Sequence, residues 1–177
     1  MNTLTKKNLR NVLAVTALIG GVVATTASGE TNQATKVDGG GGEAPAAAQE
    51  FRVGDVVELG DWRTTVHAVT DPYTSSNQFL QAKPGNRLLT VDTEVRNQST
   101  KPATVSSIMC FELQDSQNKS FNLTITDEST AGLDGELAPG AAKRGTLAYE
   151  VPATSTGLRL QFKCDLLSSG SATITLS

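Results

Sequence analysis

The run Arg87–Asn97 reads RLLTVDTEVRN, and its alternation restricts the chain more than any other feature. Leu89, Val91, Thr93 and Val95 fall on one face, and Thr90, Asp92, Glu94 and Arg96 on the other. Side chains point to opposite sides of a strand in turn, so this pattern predicts a half-buried β-strand. WRTTVHAV, from Trp62 to Val69, separates Trp62, Thr64, Val66 and Ala68 from Arg63, Thr65 and His67 in the same way. Leu147–Val151 and Leu158–Cys164 also alternate, Ala172–Leu176 is short and β-branched, and Met109, Phe111 and Leu113 mark a further inward face.

After residue 50 no segment carries a helical period with caps. Leu137-Ala138-Pro139-Gly140 reads as a turn, because proline presets its own φ and glycine accepts a positive one. Roughly 127 residues holding about seven to nine short strands suit an all-β fold of two antiparallel sheets packed as a sandwich. Trp62, Phe111, Phe121, Tyr149 and Phe162 are the expected anchors of its core.

Ahead of this domain the texture differs. Lys6, Lys7 and Arg10 precede an uncharged, mostly apolar run from Val12 to Ala24, followed by Thr25-Thr26-Ala27-Ser28-Gly29. That order is expected of a signal peptide over residues 1–29, cut after Ala27 or Gly29. The alternative is an uncleaved membrane anchor over residues 12–27, although a spanning helix needs about 20 apolar residues. The run has no cysteine near its end to carry a lipid. Residues 30–50 hold little apolar bulk and the run Gly39 to Gly42, which predicts a disordered Gly/Ala-rich linker that gives the domain reach. Removal of residues 1–29 leaves twelve basic residues against 18 acidic ones, a formal net charge of −6. Scattered basic residues on an acidic chain argue against nucleic acid or anionic lipid as a partner.

Four blocks stand in order: FRVGDVVELGDWRTTV at 51–66, PGNRLLTVDTEVRNQSTKP at 84–102, FELQDSQNKSF at 111–121 and LDGELAPGAAKRGTLAYEVP at 133–152. On these blocks the chain resembles the telokin-like, immunoglobulin-like domain family of bacterial lipoproteins and secreted proteins. That family is largely of unknown function and shares a superfamily with the mycobacterial immunoprotective extracellular antigen. The resemblance implies an immunoglobulin-like β-sandwich over residues 51–177. It carries over no catalytic motif and no cofactor. The lipobox cysteine of many members is missing here.

Few residues offer chemistry. His67 is the only histidine, and no Gly-x-Ser-x-Gly elbow accompanies it. By alternation it is a solvated strand residue. One histidine and two cysteines 54 positions apart make a poor zinc set. Asp127, Glu128, Asp134 and Glu136 lack the tight spacing of a calcium loop and read as a solvated acidic loop. Asn97, Asn118 and Asn122 each open an Asn-x-Ser/Thr triplet and read as strand-end and turn residues. Cys110 and Cys164 leave two readings open. Export favours a disulfide between them. Alternation opposes it, since Cys164 shares a face with Phe162 whereas Cys110 opposes Phe111.

The expected function is an exported, non-catalytic module without catalytic, cofactor or metal residues, binding a protein or cell-envelope component at the cell surface or outside it. The rival readings are an enzyme or metal-binding protein with a site assembled from loops around His67, and a purely structural spacer.

Overall fold

Asn86–Asn97 forms a twelve-residue strand in the middle of a six-stranded sheet, where alternation places it. The structure is a computed structural model and describes residues 34–36, 50–129, 132–164 and 170–177. The expected signal segment, residues 1–29, and most of the expected linker lie outside the described residues. In chain order the strands are β1 (Thr35–Lys36), β2 (Phe51–Arg52), β3 (Val56–Leu59), β4 (Trp62–Tyr73), β5 (Asn86–Asn97), β6 (Ala103–Val105) and β7 (Phe111–Gln114). There follow β8 (Ser120–Phe121), β9 (Leu123–Thr124), β10 (Gly135–Leu137), β11 (Ala142–Pro152), β12 (Arg159–Phe162) and β13 (Ala172–Thr175).

One sheet runs β1-β3-β4-β5-β11-β9 and the other β2-β13-β12-β7-β8, with β6 and β10 paired to one side. All pairings are antiparallel except β2 with β13. The inward faces of both sheets share one core, an immunoglobulin-like β-sandwich. Trp62, Phe111, Phe121, Tyr149 and Phe162 all lie in it, and so does Phe51, which a two-residue strand gives no period to reveal. Phe111 and Phe162 stack at 5.2 Å between ring centroids, in the range of favourable aromatic pairs. In the turn before β11, Ala141 donates to the Ala138 carbonyl at 3.0 Å and Gly140 has φ +74°.

Three expectations from alternation and composition need correction. Ala68 does not share the inward face of Trp62, Thr64 and Val66. Val66 pairs with Thr93 and Ala68 with the next residue, Asp92, so a β-bulge at His67 turns Ala68 outward. Met109 is 45% exposed, because Ser107–Cys110 is a single helical turn (α1) and not strand. Finally, the linker is not without structure throughout. Thr35 and Lys36 pair with Glu58 and Val57 on β3, and Lys36 Nζ reaches Asp55 at 3.0 Å.

Cys110 and Cys164 form a disulfide, with Cα atoms 4.2 Å apart. Alternation does not govern this pair. Cys110 closes the turn of α1, so its side chain need not oppose that of Phe111. The Lys163 amide donates to the Cys110 carbonyl at 2.8 Å and brings the two segments alongside each other.

Candidate functional site

The outer face of the six-stranded sheet is covered at one end and open at the other. β9 lies on the far edge of the sheet from β4, separated by β11 and β5. Yet Asp127, three residues beyond β9, accepts a hydrogen bond from the Tyr73 hydroxyl at 2.6 Å, at the end of β4. The chain after β9 therefore crosses the outer face. Leu88 and Thr90 alternate onto that face and are nonetheless buried.

Asp127 fastens this crossing to the loop between β4 and β5. Its carboxylate also accepts from Ser75 Oγ at 2.8 Å, Ser76 N at 2.9 Å and Ser76 Oγ at 2.5 Å. The bonds from Ser76, Tyr73 and Ser75 hold the Asp127 carboxyl well below the usual carboxylate range. The same bond pushes the Tyr73 phenol up to about 12. Asp127 is thus a loop fastener and not merely a member of a solvated acidic loop. Asp134 is also engaged, accepting from the Ser107 amide at 2.6 Å and so satisfying the start of α1.

Beside this clasp lies a groove of about 350 Å³. Ala68, turned outward by the bulge, leaves room for it, and Thr90, Asp92, Glu128 and Arg144 line it. Asp92 and Arg144 form a two-point ion pair, at 2.8 Å from Nε and 2.5 Å from Nη2. The Arg144 hydrogen bond lowers the Asp92 carboxyl. Glu128 remains exposed at the rim.

His67 sits beside the groove, with Nε2 3.6 Å from Glu94 Oε2 and both side chains about one-third exposed. Among the described residues no serine or threonine hydroxyl is hydrogen-bonded to it. A histidine that activates a nucleophile must be within hydrogen-bond reach of it. Among the described residues no group of three or more histidine, cysteine, aspartate or glutamate side chains is placed to hold a metal ion. No described helix is long and apolar enough to cross a membrane.

The outer face of the other sheet is cross-linked by its own polar side chains. Gln161 Nε2 donates to Gln114 Oε1 at 2.7 Å and Lys163 Nζ to Glu112 Oε2 at 2.6 Å. Lys163, Ser120 and Gln114 together pull the Glu112 carboxyl down to about 2.

The chain's two tyrosines, Tyr73 and Tyr149, give this arrangement a spectroscopic test. Burial, and then Glu112, pushes the Tyr149 phenol up as well. Both folded values lie above the unfolded one, so this contribution to stability is present below about pH 10 and is lost as pH rises through the folded values. Ultraviolet titration of the folded protein should show almost no tyrosinate at about pH 11, and full ionisation there in denaturant. One tyrosine ionising near pH 10 in the folded protein would mean the Tyr73–Asp127 bond does not form in solution.

Asn97 is a further residue that the sequence did not distinguish. It is fully buried and joins the end of β5 to two other segments. Nδ2 donates to the carbonyls of Lys101 at 2.7 Å and Leu137 at 3.0 Å, and Oδ1 accepts from Ser99 N and Oγ at 2.9 and 2.8 Å. Asn118 has φ +60° in the turn before β8, and Asn122 lies between β8 and β9.

A family model described as a domain of unknown function, DUF4352, matches residues 51–173. No curated protein matches the chain. Among solved structures the chain is similar to the yjhA protein from Bacillus subtilis, at 18% identity and a TM-score of 0.57, over 72% of this chain and 99% of that one. It is also similar to ycdA from Bacillus subtilis, a candidate lipoprotein, at 17% identity and a TM-score of 0.54, over 66% of this chain and 36% of that one. The chain thus spans little more than a third of ycdA. Its likeness to MPT63, a secreted protein from Mycobacterium tuberculosis, is 12% identity with a TM-score of 0.43, over 69% of this chain and 83% of that one. At the identities of the two Bacillus proteins, likeness speaks for the shared sandwich and not for a shared activity.

Proposed function

Since the chain belongs to the DUF4352 family of domains of unknown function, we propose that it is an exported, non-catalytic module that binds a protein or cell-envelope component through the outer face of its six-stranded sheet. The observation that carries this reading is the groove beside the clasp. It combines an ion pair with fixed geometry, an exposed carboxylate and the space left by Ala68. Such a surface positions a partner by shape and charge. Export rests on the basic, apolar and small-residue order of residues 1–29. The candidate lipoprotein among its structural relatives agrees with that destination.

The test compares three forms of the exported chain as bait in envelope extract: the unaltered protein, the double variant Glu128→Lys with Arg144→Glu, and Lys163→Glu on the opposite face. A partner held by the first and third should be held at least ~10-fold more weakly by the second, a loss of about 1.4 kcal/mol. Equal capture by all three would exclude the groove as the binding surface. Turnover of an envelope substrate that disappears in His67→Ala would replace the binding module with an enzyme.

A further inference from the structure

The edge of β3 is covered by a strand from outside the family-matched region. β1 consists of two exposed residues. It is held by its backbone ladder to Glu58 and Val57 and by the Lys36–Asp55 ion pair, with Ala34 packed against the margin of the core. Without β1, β3 would present the open edge of the six-stranded sheet. Open edges pair readily with any extended segment of compatible backbone.

From this arrangement we propose that the β3 edge is a strand-accepting surface whose partner is a second copy of this chain: Ala34–Lys36 of one copy pairs with β3 of the other, and the reverse. Three observations support this partner. Backbone pairing and the Lys36–Asp55 ion pair do not distinguish a domain's own strand from the same strand of a neighbour. Thirteen residues, 37–49, separate Lys36 from Glu50. Fully extended they reach at most about 45 Å, more than the roughly 35 Å width of a domain this size. Reciprocal exchange also keeps every contact of the single chain, so its cost is that of association alone. The exchanged dimer should therefore form as protein concentration nears the effective concentration of the chain's own strand, on the order of mM. Neighbouring copies crowded on one surface can reach that range.

The register supplies the experiment, because Thr35 stands directly opposite Glu58. Two single variants of the exported chain, Thr35→Cys and Glu58→Cys, are mixed and mildly oxidised, and a double variant carrying both is oxidised alone. The double variant at low concentration should close within one chain. The mixture should give a covalent heterodimer whose yield rises several-fold between roughly 10 μM and 1 mM, the range around the effective concentration. Thr35→Cys mixed with Gln161→Cys, on the other sheet, should give only background. A double variant that closes while the mixture stays at background at every concentration would overturn the exchange and leave β1 as a strand serving its own domain. A double variant that fails to close would overturn the seat itself.

Discussion

Replacing both Cys110 and Cys164 by serine is expected to lower stability by about 4 kcal/mol and the melting temperature by about 10–20 °C. The bridge spans a sequence separation of 54. A cross-link of that span removes loop-closure entropy from the unfolded chain and leaves the folded one little changed. A domain of this size holds only about 5–15 kcal/mol in all, so the loss is a large share of the total. The double variant isolates the cross-link, because neither cysteine is left as an unpaired thiol. Reductant should produce the same shift in the unaltered protein and none in the variant. A fall below about 1 kcal/mol would mean that the unfolded chain is already compact across this span. Differential scanning calorimetry with and without reductant measures both.

The sequence pointed to this pair by compartment and away from it by alternation, and that conflict shows where pattern reading reaches its end. Alternation located β5, β11 and β12, and their inward residues form the core. β5 and β11 pair with each other over eleven positions without a register shift, and β12 pairs over four with each of its neighbours, so there the pattern and the structure obey the same geometry. Alternation failed at Ala68 and Cys110 for a shared reason. A one-residue bulge shifts the phase at the first, and a single helical turn replaces the strand at the second. Neither leaves a mark in hydrophobicity. The Asp127 clasp was beyond reach in another way, because it joins residues more than fifty positions apart by polar atoms alone. Period detects faces, and it does not detect which loop a carboxylate will meet. The opening of the groove was invisible as well, because Ala68 faces it only through the bulge.

Asn97→Ala is the second large effect, expected at about 3 kcal/mol. Both ends of the amide are engaged, and the residue is fully buried. Truncation leaves the Leu137 and Lys101 carbonyls and the Ser99 amide without this partner, and each orphaned buried group costs about 1–3 kcal/mol. Some of that returns as Lys101 and Ser99 reach water. Asn97→Asp keeps the acceptor and turns the donor into an oxygen facing the Leu137 carbonyl, so it should be at least as destabilising. Gln98→Ala next to it is exposed and should change stability by no more than about 0.5 kcal/mol. Denaturant unfolding of the three variants separates these outcomes, and equal stability of Asn97→Ala and the unaltered protein would show that water replaces the amide without loss.

The parallel pairing of β2 with β13 has a mechanical consequence. Phe51 and Arg52 lie beside Ile174 and Thr175 and run in the same direction. Tension applied between the chain entering Phe51 and the chain leaving Thr175 pulls the two strands along their length in opposite senses. The hydrogen bonds between them are then loaded together in shear. In an antiparallel hairpin pulled at its open end they would break singly, each in its turn. A load applied this way would have to shear this pair, and draw Phe51 and Ile174 out of the core, before it acted on the longer antiparallel ladders.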